Sequence, residues 1–259
     1  GSDEILAGYP KHAFEPLVAA YQAVVPAGLH RSLIEPLIDA LPFAFRRAKT
    51  AAAAFGLRDP HERFPRWFGA LSPAECSTLA QPAASRASAA DGLPFAAPAG
   101  ASPLRRILAF DQTSWLPDNL LERGDRMTMA ASIEARMPFL DPELTAYVSK
   151  LPDRFRLRGF TGKWLLRQAM RRLLPAAILS RPKVGFRVPV SEWFRGSMRG
   201  YVHDHLLGTQ SATRAYYDAA RLKQVVDEHA AGRQNHEKLL WTLLSLELFH
   251  RVCLTPVRP

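Results

Sequence analysis

The sequence predicts a mostly α-helical protein. Apolar residues recur at helical spacing along most of its 259 residues, and no strictly alternating run exceeds about four residues. Helix-start signals, in which Ser or Asp precedes Pro, recur along the chain. With 47% apolar residues, a chain of this length can bury a sizeable core.

The first half of the chain alternates helices with turns. Residues 12–55 carry apolar positions at helical spacing and include the alanine-rich stretch 43–55. Ser72 with Pro73, and Ser102 with Pro103, resemble helix starts. Residues 81–102 shift to Ala, Pro, Ser and Gly without a period, which predicts a long loop inside one domain spanning residues 1–259.

The second half holds further helices. Asp141 and Pro142 mark a helix start, and Leu144, Tyr147 and Val148 are expected to face inward. Residues 164–174 predict another helix, preceded by a basic turn that contains glycine. The leucine-rich segment 239–249 is apolar on most sides, so we expect a buried core helix.

Composition limits the class of protein. The formal charge of +10 is compatible with nucleic acid, an anionic surface or polyanionic small substrates, but Lys and Arg are spread along the chain, which favours a solvated surface over a nucleic-acid site. The two cysteines have no CxxC partner, so neither zinc nor a disulfide framework is indicated. No membrane-length apolar run or signal pattern is present, and we expect a cytoplasmic protein without membrane partners.

Two segments of the chain contain charged residues that are candidates for a functional site. The first segment, residues 116–141, is predicted to begin as a helix at Pro117. Its apolar residues are interrupted by five charged ones: Arg123, Asp125, Arg126, Glu134 and Arg136. Such charges imply a paired, partly buried network, which can be structural or functional.

Lys163 follows Gly162 at the start of a predicted helix, where a cation opposes the helix dipole unless an anion is bound there. The spacing alone is also compatible with a surface lysine. The next loop, residues 181–186, contains Lys183, which can contact phosphate or simply belong to a surface loop.

Four collinear segments resemble the asparagine synthetase-like amidotransferases, in their ATP-dependent synthetase domain. DRMTMAASIEARMPFLD at residues 125–141 is similar to the hallmark segment of that family. GSDEILAGY (1–9), RGFTGKWLLRQAM (158–170) and RPKVGFRVPVSEWFRG (181–196) match in family order, and GRQNHEKLLWTLLSLELFHR (232–251) adds a weaker match.

The resemblance implies a fold and an activity. The chain is expected to be the helical C-terminal portion of an α/β ATP-pyrophosphatase (adenine nucleotide alpha hydrolase-like) synthetase domain. The activity implied is adenylation of a small carboxylate by MgATP, followed by attack of ammonia derived from glutamine. The family's SGGxDS phosphate loop and N-terminal glutaminase domain lie outside this sequence, so they are expected as partners, and this stretch alone is expected to be inactive. Homo-oligomerisation is left open.

The resemblance also carries over residue roles. Lys163 would stabilise developing charge, and Asp3 would bind Mg²⁺. Glu134 is also taken as catalytic, shaping the pocket or holding the acceptor together with Arg136. Asp111, at a position often acidic in the family, is the further pocket candidate, although an ordinary helix carboxylate explains it equally well. The ATP or pyrophosphate contacts would be Ser2, Glu4, Arg126 and Lys183.

Two other functions remain open. One is a non-catalytic, truncated or split subunit that keeps the helical scaffold without the phosphate loop. The other is a basic nucleic-acid-binding module. No nucleophile elbow, Walker-type loop or dinucleotide fingerprint supports another common enzyme class.

Overall fold

The computed structural model confirms the mostly helical class. It describes residues 1–40, 46–67, 69, 71, 73–81, 97, 99–181 and 188–254. The α-helices of these residues are α1 (Ser2–Ile5), α2 (Pro10–Val24), α3 (Ala27–Leu29), α4 (Glu35–Asp39), α5 (Arg46–Gly56), α6 (Pro60–Arg66), α7 (Pro73–Leu79), α8 (Pro103–Phe110), α9 (Glu122–Met129), α10 (Pro142–Lys150), α11 (Asp153–Arg156), α12 (Trp164–Ala169), α13 (Ala176–Ser180), α14 (Val190–Arg195), α15 (Arg199–Leu207), α16 (Ala219–Ala230) and α17 (Glu237–Phe249).

Shorter elements complete this description. The strands β1 (Leu157–Arg158) and β2 (Thr161–Gly162) pair antiparallel in a small hairpin. Among the described residues, three segments are 3₁₀-helical and three are π-helical. The former are Pro138–Leu140, Met170–Arg172 and Arg214–Tyr216; the latter are His30–Ile34, Asp111–Leu121 and His250–Leu254.

The chain divides into two compact units. The first comprises Gly1–Leu41, Arg47–Trp67 and Leu93–Gly185. The second comprises Pro42–Arg46, Phe68–Gly92 and Phe186–Pro259. The single, N-terminally incomplete domain stays a prediction, and most of the predicted 81–102 loop (82–96 and 98) lies outside the described residues.

The core of the first unit forms where α2 packs against α8. Leu104, Ile107 and Leu108 recur at helical spacing on α8 and are at most 2% exposed. Ser102 caps this helix as predicted, accepting a hydrogen bond from the Arg105 N–H at 3.2 Å. The cap and the apolar stripe together place α8 against the core.

A single helical run extends from Pro103 to Met129, so the predicted helix start at Pro117 is wrong. Pro117 lies inside the π-helical segment instead. A π-helix bonds i to i+5, and such local rearrangements of the ladder accompany helix irregularities at proline. The helix therefore continues past Pro117 and carries Asp111 and Met129 on one continuous element.

Helix α10 begins where the sequence predicts. Asp141 accepts from the Leu144 N–H at 2.9 Å, which confirms it as the cap. The predicted inward face is only partly confirmed, since Val148 is 3% exposed but Tyr147 is 62% exposed. The apolar spacing correctly identified the helix, but tertiary packing covers only part of that face.

The second unit is built from α14 to α17, with α7 against α16. Its core includes Leu206, Leu222, Val225 and Leu240, each at most 1% exposed. The predicted core helix α17 is buried along one face, whereas Trp241 is half exposed. Within the described residues no helix is long and apolar enough to span a membrane.

Glu247 is a fully buried carboxylate that ties α17 to the loop before Arg214–Tyr216. It accepts from the backbone N–H groups of Ala212 and Thr213 at 2.9 Å, from the Thr213 hydroxyl at 2.7 Å, and from Arg251. Burial alone raises the pKa of Glu247, but these hydrogen bonds outweigh it and lower the pKa to about 2. The ionised form of Glu247 therefore stabilises the folded state of this unit.

We expect Glu247→Gln to lower the free energy of unfolding at pH 7 by about 3 kcal/mol, because the pKa falls from 4.5 to about 2 and about 1.4 kcal/mol accompanies each pKa unit. Since the folded pKa lies below the ordinary value of 4.5, this stabilisation is present above pH 4.5 and is lost as pH falls toward 2. Urea unfolding at several pH values measures it. Asp204→Asn, at a carboxylate whose side chain is 80% exposed, is the matched control. Equal losses in both variants would contradict the prediction.

Candidate polyanion-binding site

The β1–β2 hairpin docks on the first loop of the chain. The Lys163 N–H donates to the Leu6 carbonyl at 2.8 Å. A Cβ added at Gly162 would lie only 1.9 Å from the Ala7 carbonyl oxygen, so glycine permits the close approach of these two backbones. Two segments far apart in sequence, both singled out by their motifs, therefore meet in one place.

Lys163 directs its ammonium group toward α1. Its Nζ lies 2.9 Å from Asp3 Oδ1 and donates to Ser2 Oγ at 3.0 Å. The side chains of Lys163 and Asp3 are 22% and 16% exposed, so water screens the pair only partly. Lys163 precedes α12 as predicted, but Asp3 supplies the counter-charge that the sequence argument assigned to an anion at the helix N-terminus.

Backbone geometry holds this pair in place. Lys163 has φ 53° and Ala7 has φ 59°, both in the left-handed region that non-glycine residues seldom adopt. A Cβ at Gly8 would fall 1.8 Å from Asp3 Oδ1 and 2.6 Å from Lys163 Cε. Only glycine leaves room at position 8 for both side chains, and left-handed non-glycine residues cluster at functional sites.

The ion pair lies at the wall of a pocket of about 940 Å³, at the upper end of the usual range for small-molecule sites. Asp3 is the one acidic residue among its described lining residues. Arg167 is occupied by the carbonyls of Gly162 and Leu179. The basic lining residues are Lys163, Arg167, Arg171 and Arg181, and the aromatic ones are Tyr9, Phe14, Phe160 and Trp164.

A buried polar cluster supports the loop from the other side. The Tyr9 hydroxyl donates to Glu4 Oε1 at 2.6 Å, and Gln112 donates to the Glu4 carbonyl at 3.2 Å. Burial and the neighbouring Glu4 raise the pKa of Tyr9, which keeps its hydroxyl protonated as a donor. Glu4 is fully buried and is absent from the described pocket lining, so its role at pyrophosphate stays a prediction.

Asp111 anchors this cluster. It is fully buried and accepts from Lys11 Nζ at 2.6 Å, with His12 Nε2 at 2.7 Å from its other oxygen. Because His12 Nδ1 accepts the Tyr9 N–H at 3.3 Å, the proton lies on Nε2 and is donated to Asp111. Burial lowers the pKa of His12, which favours this neutral form.

Burial also lowers the pKa of Lys11 to about 8, although Asp111 partly offsets the shift. Sequence reasoning missed both Lys11 and His12. The sequence position of Lys11 could have marked it as a candidate, because a cation in the first turn of α2 opposes the helix dipole. Asp111 stays a prediction as a pocket residue, because the described pocket lining does not include it.

The expected partly buried network of residues 116–141 is wrong for its main members. Glu134 pairs with Arg136 at 2.8 Å, but their side chains are 65% and 82% exposed. Arg126 pairs with Glu122 at 2.7 Å and is 73% exposed. None of these three predicted site residues belongs to the described pocket lining, and their side chains are largely exposed. Lys183 lies outside the described residues.

The donor set fits the polyphosphate end of MgATP. An ammonium and arginine side chains line one pocket, and such groups bind phosphate oxygens. Ser2 is absent from the described lining and reaches the site only through its hydrogen bond from Lys163. Mg²⁺ is commonly held by one or two carboxylates together with substrate phosphates, which suits Asp3. Among the described residues no group of three or more His, Cys, Asp or Glu side chains could hold a metal without such a ligand.

A pocket with one carboxylate and several cations is, by class, a candidate polyanion-binding site. The family described as asparagine synthase matches residues 1–251, and the chain belongs to that family. No solved structure matches the chain.

Three curated relatives are similar to part of the chain, and each carries the term glutamine-hydrolyzing in its name. A Mycobacterium tuberculosis protein named "Putative asparagine synthetase" is 37% identical over 160 residues, 61% of this chain and 24% of that protein. Asparagine synthetase 1 of Bacillus subtilis is 32% identical over 151 residues, 58% and 24% of the two chains. The asparagine synthetase of Gallus gallus is 33% identical over 135 residues, which are 46% of this chain and 24% of that protein. The match spans about a quarter of the length of each relative.

We expect Gly162→Ala to destabilise the chain by about 1–3 kcal/mol or more, since the new methyl group meets a backbone carbonyl that cannot move aside cheaply. Gly28→Ala, where nothing lies within 4 Å, is the control and should be neutral or stabilising by about 0.4–1 kcal/mol. Thermal unfolding of both variants measures the difference. Equal midpoints would show that the hairpin does not dock on the Ala7 backbone.

Proposed function

We propose that this chain carries part of an ATP-dependent amide-forming synthetase, and that its pocket binds the polyphosphate of MgATP. The observation that carries the proposal is the pairing of Lys163 with Asp3 at the wall of a basic pocket. Both residues lie in segments matched by the asparagine synthase family. The ATP-pyrophosphatase fold for the complete domain is part of the same proposal.

MgATP supplies the activated leaving group, pyrophosphate, for conversion of a substrate carboxylate into an amide. A carboxylate oxygen attacks the α-phosphorus and pyrophosphate leaves, and ammonia then attacks the acyl carbon and releases AMP. We assign to Lys163 the stabilisation of charge that develops on the departing pyrophosphate. A preorganised cation in a partly dry site contributes strongly to such a step.

The remaining predicted residues have proposed roles around this centre. Asp3 would ligate Mg²⁺, with Ser2 and Glu4 beside the pyrophosphate, and Arg126 and Lys183 as further phosphate contacts. Glu134, Arg136 and Asp111, which lie outside the described lining of this pocket, would hold the small carboxylate acceptor. The source of ammonia would be a glutaminase domain, and the phosphate loop would come from sequence outside this chain.

Isotope labelling of the substrate distinguishes adenylation of the carboxylate from its phosphorylation. The assay uses the full-length protein that the gene encodes. With an ¹⁸O-labelled carboxylate, adenylation places label in AMP, whereas phosphorylation of the carboxylate places it in inorganic phosphate. We expect label in AMP and release of pyrophosphate. Absence of turnover with a panel of amino-acid carboxylates would favour the non-catalytic subunit instead.

Lys163→Ala should weaken binding of magnesium pyrophosphate at least about 10-fold, because a hydrogen bond to a charged group is worth about 1.5–3 kcal/mol. Isothermal titration of the chain at constant ionic strength measures this. Lys150→Ala removes the same charge from an exposed site at the end of α10 and should leave the affinity unchanged. Comparable losses in the two variants would contradict the assignment of Lys163.

A further inference from the structure

The pairing of Lys163 with Asp3 opposes the binding of a polyanion at Lys163. The ammonium that should attract phosphate already has a carboxylate oxygen 2.9 Å away, and it donates a hydrogen bond to a hydroxyl at 3.0 Å. A carboxylate so close to the ammonium cancels most of its field at the pocket. It also repels any phosphate that approaches the same nitrogen.

The surrounding backbone keeps Asp3 and Lys163 together. The Asp3 carbonyl accepts from the Gly8 N–H at 2.8 Å, and Lys163 is held by its N–H bond to Leu6. Gly8 offers no side chain that could separate the two charged groups. The pair is therefore built into the pocket wall and is only partly exposed to water.

We propose that Asp3 is an internal counter-ion that occupies Lys163 in the ligand-free site, and that a divalent cation, by taking Asp3, frees Lys163 for the polyphosphate. This inference rests on the proposed function and adds a form of regulation to the same site. The metal and the anion then help each other to bind, since each removes an obstacle to the other, and such coupling is reciprocal.

The structure explains why the divalent cation and the anion should depend on each other. Asp3 alone is a poor Mg²⁺ site, because no cluster of three metal-ligating side chains exists among the described residues. Phosphate oxygens complete the metal coordination, and the metal in turn neutralises the carboxylate that repels them. Asp3 thereby makes the pocket selective for the metal-bound form of the polyphosphate over the bare anion.

The test is isothermal titration of the 259-residue chain with inorganic pyrophosphate, in EDTA and in excess Mg²⁺, at fixed ionic strength. In the wild-type chain, we expect Mg²⁺ to tighten binding at least about 10-fold, within the usual range of coupling between sites. Asp3→Asn keeps the shape and removes the charge. It should bind pyrophosphate in EDTA about 10-fold more tightly than wild type and gain little from Mg²⁺.

Two further variants separate the outcomes. Glu143→Gln removes an exposed carboxylate on α10 and gives the same change of net charge, so it should follow wild type in both buffers. Lys163→Met should bind weakly in both buffers. Equal affinity of wild type and Asp3→Asn in EDTA would overturn the counter-ion role alone. No binding by any variant, even with Mg²⁺, would overturn the proposed function as well.

A ligand-free measurement checks the pair itself. Unfolding free energies of Asp3→Asn, Lys163→Met and the double variant form a double-mutant cycle. We expect the double variant to be more stable than the sum of the single losses predicts, by the equivalent of at least a threefold change in the unfolding constant. Additive losses would show that the two charges do not interact in solution and would overturn the inference.

Discussion

Contact between two backbones underlies the candidate site. Gly162 lies so close to the Ala7 carbonyl that a methyl group would not fit, and the adjacent Lys163 N–H bonds to Leu6. This approach fixes where the Lys163 side chain begins, and the left-handed conformation of Lys163 fixes its direction. The ammonium meets Asp3 because both backbones are already held. The charge chemistry of the pocket therefore depends on a steric condition that only glycine satisfies.

Local signals in the sequence were read correctly where one helical turn contains all the interacting atoms. Ser102 and Asp141 cap their helices as predicted, since a cap depends on a side chain and the amides of the next turn. The predicted helix start at Pro117 is wrong because a π-helical segment changes the local hydrogen-bond spacing, and the apolar spacing does not distinguish that change. The burial of Glu134 and Arg136 was also misjudged, since exposure depends on which element packs above them.

Long-range partners were the part of the site that sequence alone could not supply. Lys163 was identified as a candidate, but its partner Asp3 is 160 positions away and no pattern links the two. The same holds for His12 and Asp111, which meet across 99 residues. The resemblance placed the GSDE and GFTGK segments in one functional family, and the structure adds that these segments touch. The structure therefore brings together two segments that the sequence motifs had marked separately.

The uninterrupted helical run from Pro103 to Met129 has a mechanical consequence. Its rise of about 1.5 Å per residue gives a rod roughly 40 Å long. Asp111 and Gln112, in the first half of the run, bond to α2 and α1 through His12 and the Glu4 carbonyl, whereas Met127 and Met129 at the far end are exposed. A force applied at the methionine end therefore acts through a long lever arm. A small tilt of the helix at that end would therefore exert a torque on the buried pair of His12 and Asp111.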